Sequence, residues 1–481
     1  MTALCFHVGD ASQTQCKIAY STLVDSPVSL TVTGIAPANI TDSGRTDQHG
    51  TVFIGTGYFT ITGLSAFTKY TFMISQGSET YSGSFWTMPS SQNEPYSFIM
   101  HTCTYYKDVG PLSFRDMRHV AEEYESTAPV VYLFDIDDVM YTDNLHATNN
   151  IDLPNQTNQP QFSGLASDYA VGWAIWHGHE SRYQNFQDPD ALWTHWNIAS
   201  GKTGGDHAIE GNHCRGVVGN SDYSGCDRTL EATAIGVWNA FIGDANPQML
   251  GISGTYWGKE IGPVRFAAID EFSFSDPADG TNFYESRTTH PMLGDQQITD
   301  IQNYLDVNTI PFKTMCMSTG FSIAGQPWSE LWRDESRYFH ANVLNSPNLN
   351  GTNGWFFGMV GDNHTLHAQQ LSEGTGTGFW SFCPGTTGSS TSVTGSGNSL
   401  DEFGTKQGHT AYFRSTDIGK PIGGMQYGAF LHVIVHADET PKRVQVRAIE
   451  TGGNVVFDYS LTAVSGNDNQ WENNWKMRLG L

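Results

Sequence analysis

The sequence predicts an α/β chain preceded by a small N-terminal β-sandwich. Three observations carry that expectation. Residues 1–95 alternate short β-type runs with closely spaced turns. From Tyr96 the texture becomes strand, helix, strand, with polar residues where the strands end. Past residue 428, alternating strands return and extend the main sheet system. The expected units are therefore 1–95 and 96–481, joined at the polar break MPSSQNEP (88–95).

Taken in order, VSLTVTG (28–34), TVFIGTGYFTITGL (51–64), KYTFMISQ (69–76) and YSGSFWTM (81–88) are rich in Val, Ile, Phe, Tyr and Thr and predict the first strands. SFIMHTC (97–103) predicts a buried strand running into a polar loop. LSFRDMRHVAEEY (112–124) has one apolar and one charged face at helical spacing. VVYLFDIDDVMYTD (130–143) predicts a strand followed by acidic residues, and TLEATAIGVWNAFIG (229–243) a helix. PVRFAAIDEFSF (263–274) predicts a strand ending in Asp270, and LGDQQITDIQNYLD (293–306) a helix with acid in its first turn. FKTMCMSTG (312–320) and NGWFFGMVGDNHTLHA (353–368) predict further strands, the last ending in Asp362 and His364. Residues 383–400 are almost pure Gly, Ser and Thr and predict an exposed loop. AFLHVIVHA, KRVQVRAIE and NVVFDYSLT then alternate as antiparallel strands.

Composition narrows the function. A chain of 481 residues with formal net charge −25 repels nucleic acid and anionic membrane at long range, so neither is an expected partner. A phosphate-bearing substrate would need local cations to reverse that sign. No apolar run approaches the ~18 residues of a membrane helix. The N-terminus MTALCFHVGD has no basic start and no long apolar segment, so no signal peptide is expected. The 51 glycines and few charged residues resemble a secreted or virion protein, and an extracellular or virion-associated setting is the expectation. A homo-oligomer or larger assembly is compatible with it. Of seven cysteines, Cys5 with Cys16 and Cys214 with Cys226 bracket short loops. As disulfides, each would contribute about 3 kcal/mol. Cys316 with Cys383 would follow by elimination, leaving Cys103 alone; the alternative is that all seven are reduced and buried.

The chemistry concentrates in GGDHAIEGNH (204–213), a loop carrying Asp206, His207, Glu210, Asn212 and His213. Oxygen and nitrogen donors on a glycine-punctuated turn suit hard or borderline cations. With Cys103, Asp138, Asp270 and Asp362–His364 it makes five polar clusters at strand ends or adjoining loops. Such donors on one edge are what two-metal phosphoester hydrolysis requires, with a metal-bound hydroxide attacking in line. No G-x-S-x-G elbow, Walker loop or G-x-G-x-x-G follows a strand, which argues against a serine hydrolase, a nucleotide-driven motor or a dehydrogenase.

In these blocks the chain resembles the PhoD-like alkaline phosphatases and phosphodiesterases of the calcineurin-like metallophosphoesterase superfamily. Residues 64–90 look like the family's N-terminal fibronectin- or immunoglobulin-like sandwich, and SFIMHTC like the strand ending in its metal-binding cysteine. DDVMYTD is similar to G-D-x-I-Y-x-D, and GDHAIEGN to D-D-H-E-V-x-N-N. LGDQQITDIQNYL is similar to L-G-x-x-Q-x-x-W-L, and GDNH to the closing G-D-x-H. The resemblance implies a metallophosphoesterase-like two-sheet α/β sandwich with an Fe(III), held partly by a thiolate, and calcium nearby. Asp138 would bridge two metals; Cys103, Asp362 and His179 would complete the first. Asn212, Asp206 and His364 would serve the second metal or the phosphate. His207 would donate a proton to the leaving group, for which an imidazole is suited near neutral pH.

The chain also departs from the family's pattern. Gly205 stands at the family's first Asp of the loop and Ala208 at its Glu. The family's Y-R pair aligns with His179 and Glu180, so an imidazole replaces the expected tyrosinate, which suits Zn or Mn as well as iron. IDEFSF lacks the arginine of L-D-x-R, and Arg182, Arg215 or Arg265 would have to substitute. The rival expectation is a structural or binding protein, a virion or surface-assembly subunit, that keeps the phosphoesterase fold and has lost turnover.

Overall fold

The structure is a computed structural model. It describes residues 4–47, 54–104, 111–136, 189–203, 231–247, 256–271, 291–318, 333–344, 346–349, 355–361, 366–371, 379–385, 412–414, 421–422, 425–426 and 428–463, with positions 170, 173, 174, 177, 179 and 288.

The first part of the chain folds as β1 (Leu4–Ala11), β2 (Gln15–Thr22), β3 (Val28–Val32), β4 (Ile40–Asp42), β5 (Thr46–Asp47), β6 (Gly55–Thr62), β7 (Lys69–Gln76) and β8 (Glu79–Trp86). These form two antiparallel sheets, β1-β2-β6-β4 with β5 on β6, and β3-β7-β8. Alternation drives the second sheet: Phe72 and Ile74 of β7 are buried while Met73 between them is exposed. Phe6 of β1 meets Phe72 edge-on at 5.6 Å and closes the sandwich. β1 is buried on both faces, so it shows no alternation in sequence and was not anticipated.

The remaining strands are β9 (Tyr96–Thr102), β10 (Val130–Ile136), β11 (Ser200–Lys202), β12 (Trp257–Ile261), β13 (Val264–Ala268), β14 (Phe312–Met317), β15 (Trp355–Val360), β16 (Leu366–Leu371), β17 (Phe379–Pro384), β18 (Tyr412–Arg414), β19 (Pro421–Ile422), β20 (Met425–Gln426), β21 (Ala429–His436), β22 (Arg443–Glu450) and β23 (Asn454–Thr462). The first large sheet runs β11-β10-β9-β21-β22-β23, the second β12-β13-β14-β15-β17-β16-β18. In the first, β9, β10 and β11 are parallel and the C-terminal strands join antiparallel through β21, as the sequence predicts. In the second, β13, β14, β15 and β17 are parallel.

The two large sheets face one another across an aromatic seam. Phe266 stacks on Phe134 at 4.5 Å and takes Phe98 edge-on at 5.0 Å, and Trp380 packs on Tyr459 at 4.3 Å. Each such pair contributes about 1 kcal/mol beyond its buried area. The helices described are α1 (Pro111–Glu123), α2 (Pro189–Asn197), α3 (Glu231–Phe241), α4 (Asp295–Leu305) and α5 (Arg333–Phe339). α1 and α2 cover the outer face of the first sheet, with Phe114, Met117 and Ala191 against Ile99 and Leu133. α4 and α5 cover the second, with Ile298, Ile301 and Phe339 against Ala267 and Met315. The result is a helix–sheet–sheet–helix sandwich, the α/β architecture expected. One apolar cluster runs from β1 through both large sheets. Across the junction Phe6 stacks on Trp196 at 4.3 Å, and the Ser200 hydroxyl donates to the Val8 carbonyl.

Candidate metal centre

The carboxyl ends of the parallel strands set the positions of the candidate donors. β9 and β10 are buried along their whole length and mostly apolar, as interior parallel strands require. Just past β9, Cys103 is fully buried and adopts φ +53, a left-handed conformation that a residue with a Cβ rarely takes. Its Sγ lies 3.2 Å from the Thr102 hydroxyl. In the second sheet, Ile269 N–H donates to the Cys316 carbonyl and Gly361 N–H to that of Met317, carrying the ladder one step past the strands. Asp270, buried at the end of that step, is held by Gln297 of α4. The Gln297 amide oxygen accepts from Asp270 N–H and its nitrogen donates to the Asp270 carbonyl, both at 2.8 Å. The Gln of the L-G-x-x-Q motif is thus a clamp on a strand end.

One rung below Cys103 lies a cluster that was not anticipated. Strand register sets Asp135 of β10 opposite His101 of β9 on one side and Lys202 of β11 on the other. All three are fully buried. Asp135 Oδ1 is 3.4 Å from His101 Nε2, and Oδ2 is 3.4 Å from Lys202 Nζ. These are electrostatic contacts without hydrogen-bond alignment, and both carboxylate oxygens lack a hydrogen-bond partner among the described residues. Lys202 Nζ also donates to Ser200 Oγ at 3.1 Å. Burial pulls the Lys202 ammonium below its usual range, opposed by Asp135. Burial likewise lowers His101, again opposed by Asp135 and assisted by Lys202, so the imidazole is neutral near neutral pH. A histidine and an aspartate near the ends of two otherwise mostly apolar strands were the available signal.

A second buried group joins the N-terminal sandwich to the rest. His7 Nδ1 lies 3.1 Å from His177 Nε2, and the Ser21 hydroxyl bridges His177 Nδ1 at 2.6 Å and His179 Nε2 at 2.8 Å. Burial holds His7 and His177 well below the usual imidazole range, with Lys202 and neighbouring histidines adding to it. Since Ser21 takes His179 Nε2, a cation at His179 would have to be met through Nδ1.

Of the expected site residues, Cys103 and His179 are described; Asp138, Asp206, His207, Asn212, Asp362 and His364 lie outside the described residues. Among the described residues no three His, Cys, Asp or Glu side chains converge to hold an ion. The described donor fits one in kind: a thiol in a strained turn directly past a central parallel strand, the kind of outlier that clusters at functional sites. Arg265 is not available to grip phosphate. It sits mid-strand on β13, paired with Glu260 at 2.5 Å, donating to the Tyr304 carbonyl at 2.6 Å and lying over the Tyr304 ring. Arg182 and Arg215 lie outside the described residues.

Two expected disulfides are absent, since Cys5, Cys16, Cys316 and Cys383 all carry free thiols. The register explains both. Cys5 faces Ser21 while Cys16 faces Ala11, several rungs away. Cys316 and Cys383 sit on strands separated by β15, about 10 Å at normal strand spacing and beyond disulfide reach. Cys214 and Cys226 lie outside the described residues.

No family model and no curated protein matches the chain in sequence. Solved structures do. A structure of PhoD superposes with a TM-score of 0.62 at 15% identity, covering 96% of this chain and 92% of that one. A purple acid phosphatase from yellow lupin seeds superposes with a TM-score of 0.57 at 10% identity, covering 96% of this chain and 74% of that one. Over nearly its whole length, therefore, this chain has the fold shared by those two phosphatase structures.

Proposed function

We propose that the chain is a metal-dependent phosphoesterase acting on phosphomonoesters or phosphodiesters. The observation that carries the reading is Cys103, a described member of the expected donor set, buried in a left-handed turn past β9 in a PhoD-like fold. Bound cations would supply the positive charge that an acidic chain otherwise denies a phosphoryl group, and would activate water for attack. In this reading Cys103, Asp138 and Asp362 hold the first cation, with His179 as a lesser candidate. Asp206, Asn212 and His364 serve the second cation or orient the phosphate. His207 holds the proton that the departing oxygen needs. Iron with calcium follows from the resemblance, and zinc or manganese from the imidazole at His179. We place its work outside the cell or on a virion on composition alone.

A scaffold that has kept the fold and lost turnover is favoured by one set of observations, Gly205 and Ala208 in the ligand loop together with the engagement of Arg265. Metal analysis of the purified protein, beside hydrolysis of mono- and bis-(4-nitrophenyl) phosphate, separates the two. The enzyme reading expects bound metal and turnover that Asp138→Asn abolishes. A metal-free protein, inert in wild type and variant alike, overturns it.

A further inference from the structure

The buried cluster beneath Cys103 has a direction. A carboxylate only accepts, so Asp135 calls for the proton of His101 on Nε2, facing Oδ1 at 3.4 Å. The Nδ1 lone pair is then left to accept from the Thr104 hydroxyl, which lies 3.3 Å away. Lys202, on the far side of Asp135, lies with its Nζ 3.4 Å from Oδ2, and both side chains are fully buried. The ring is wedged edge-on by Phe114 of α1 at 5.6 Å, so it cannot swing aside. The chain of contacts therefore runs Lys202, Asp135, His101, Thr104. It starts on β11, crosses β10 and β9, and ends on the residue after Cys103. Thr104 and His101 thereby clamp the two sides of the one described non-glycine position in this region with positive φ. A left-handed residue with a Cβ costs on the order of 1–3 kcal/mol and persists only where its surroundings over-determine it. Here this relay is part of those surroundings.

We propose that His101 is a positioning residue for Cys103: braced from below by Asp135 and Lys202, it grips Thr104 and holds the turn in which the thiol can ligate a cation. The inference rests on the reading of Cys103 as a ligand. His101 itself touches neither metal nor substrate in this scheme.

The experiment is a cobalt(II) titration of the full-length protein stripped of metal, read by the thiolate-to-cobalt charge-transfer absorbance and by competition with a chelator. Thr104→Val keeps the side-chain shape and removes the hydroxyl. His101→Gln keeps a donor toward Asp135 and loses the Nδ1 position, whereas His101→Asn keeps an acceptor toward Thr104. The expected result is a loss of roughly 10- to 100-fold in cobalt affinity for Thr104→Val and His101→Gln, the usual weight of groups that orient a ligand. His101→Asn should recover most of it, and Cys103→Ser should abolish the absorbance. If Cys103→Ser leaves absorbance and affinity unchanged, the ligand reading itself has failed. If Cys103→Ser abolishes the band but Thr104→Val and His101→Gln, folded by circular dichroism, bind as wild type does, the positioning role is overturned and the ligand reading stands. Thr104→Val alone decides the matter should the His101 variants not fold.

Discussion

Replacing Glu335 by glutamine should loosen the helical cover of the second sheet. Glu335 is buried on α5, and its carboxylate accepts from three consecutive backbone N–H groups ahead of α4. Met292 donates at 3.0 Å, Leu293 at 3.0 and 3.1 Å to the two oxygens, and Gly294 at 3.0 Å. Gly294 is the N-cap of α4 with φ +77, and its helix has no capping side chain of its own. The carboxylate therefore serves as a remote cap, and its charge complements the positive end of α4. Hydrogen bonds to a charged group contribute about 1.5–3 kcal/mol each, and a buried donor left without a partner costs about 1–3 kcal/mol. Glutamine keeps one oxygen and turns an NH2 toward at least one N–H, so we expect a net loss of about 3 kcal/mol. Glu335→Ala, which strands all three donors, should lose more. Glu94 makes a comparable pattern with Ser90 and Ser91 N–H at the surface, and Glu94→Gln should lose under about 1 kcal/mol because water replaces it. Urea denaturation followed by circular dichroism measures the midpoints. Hydrogen exchange should show the loss first in residues 292–305. Equal midpoints for the Glu335 and Glu94 variants, or a Glu335→Gln shift worth less than about 1 kcal/mol, would refute the capping role.

Other outcomes follow from the same structure. His432, buried against Tyr124 with neither ring nitrogen hydrogen-bonded among the described residues, has its pKa lowered from 6.5 to about 3 by burial, with Arg447 adding to it. Its folded pKa lies below its unfolded one, so its stability contribution is full above pH 6.5 and is lost as pH falls toward 3. His432→Phe should flatten that part of the stability–pH curve by a few kcal/mol (order of magnitude), and an unchanged slope would contradict it. Lys202→Met should cost about 3–5 kcal/mol by stranding Asp135, and adding Asp135→Leu should recover most of it. A double-mutant cycle with no coupling would show the pair to be inert. The thiols of Cys5, Cys16 and Cys316 are pushed up by burial, so they should resist a disulfide reagent in the folded protein. Unfolding without reductant should release at least the five described thiols, and a smaller number would mean bridges exist after all.

How much was legible depended on where a residue's neighbours come from. α1 and α4 show helical spacing because each covers a sheet with one face only. β21, β22 and β23 were readable by their alternation and their place at the end of the main sheet. β1 was not, because both its faces are buried and no period survives. Cysteine spacing misled at Cys5 and Cys16 because sequence distance says nothing about which rung of a ladder a residue occupies. Cys103 was legible as a candidate donor from its strand end, but the buried groups beside it were not. His101, Asp135 and Lys202 are separated by tens of residues, and only parallel register aligns them. Gln297 was legible as part of a motif, and its clamp on Asp270 only from coordinates.

The placement of β21 bears on how the chain is made. β9, which leads into Cys103, pairs with β10 on one side and on the other with β21, where Met100 faces Leu431. During synthesis β9 therefore waits as a bare, largely apolar edge until the chain past residue 428 has emerged. A product cut short before Ala429 would keep the N-terminal sandwich yet display that edge, and self-association through it would be the signature of premature termination.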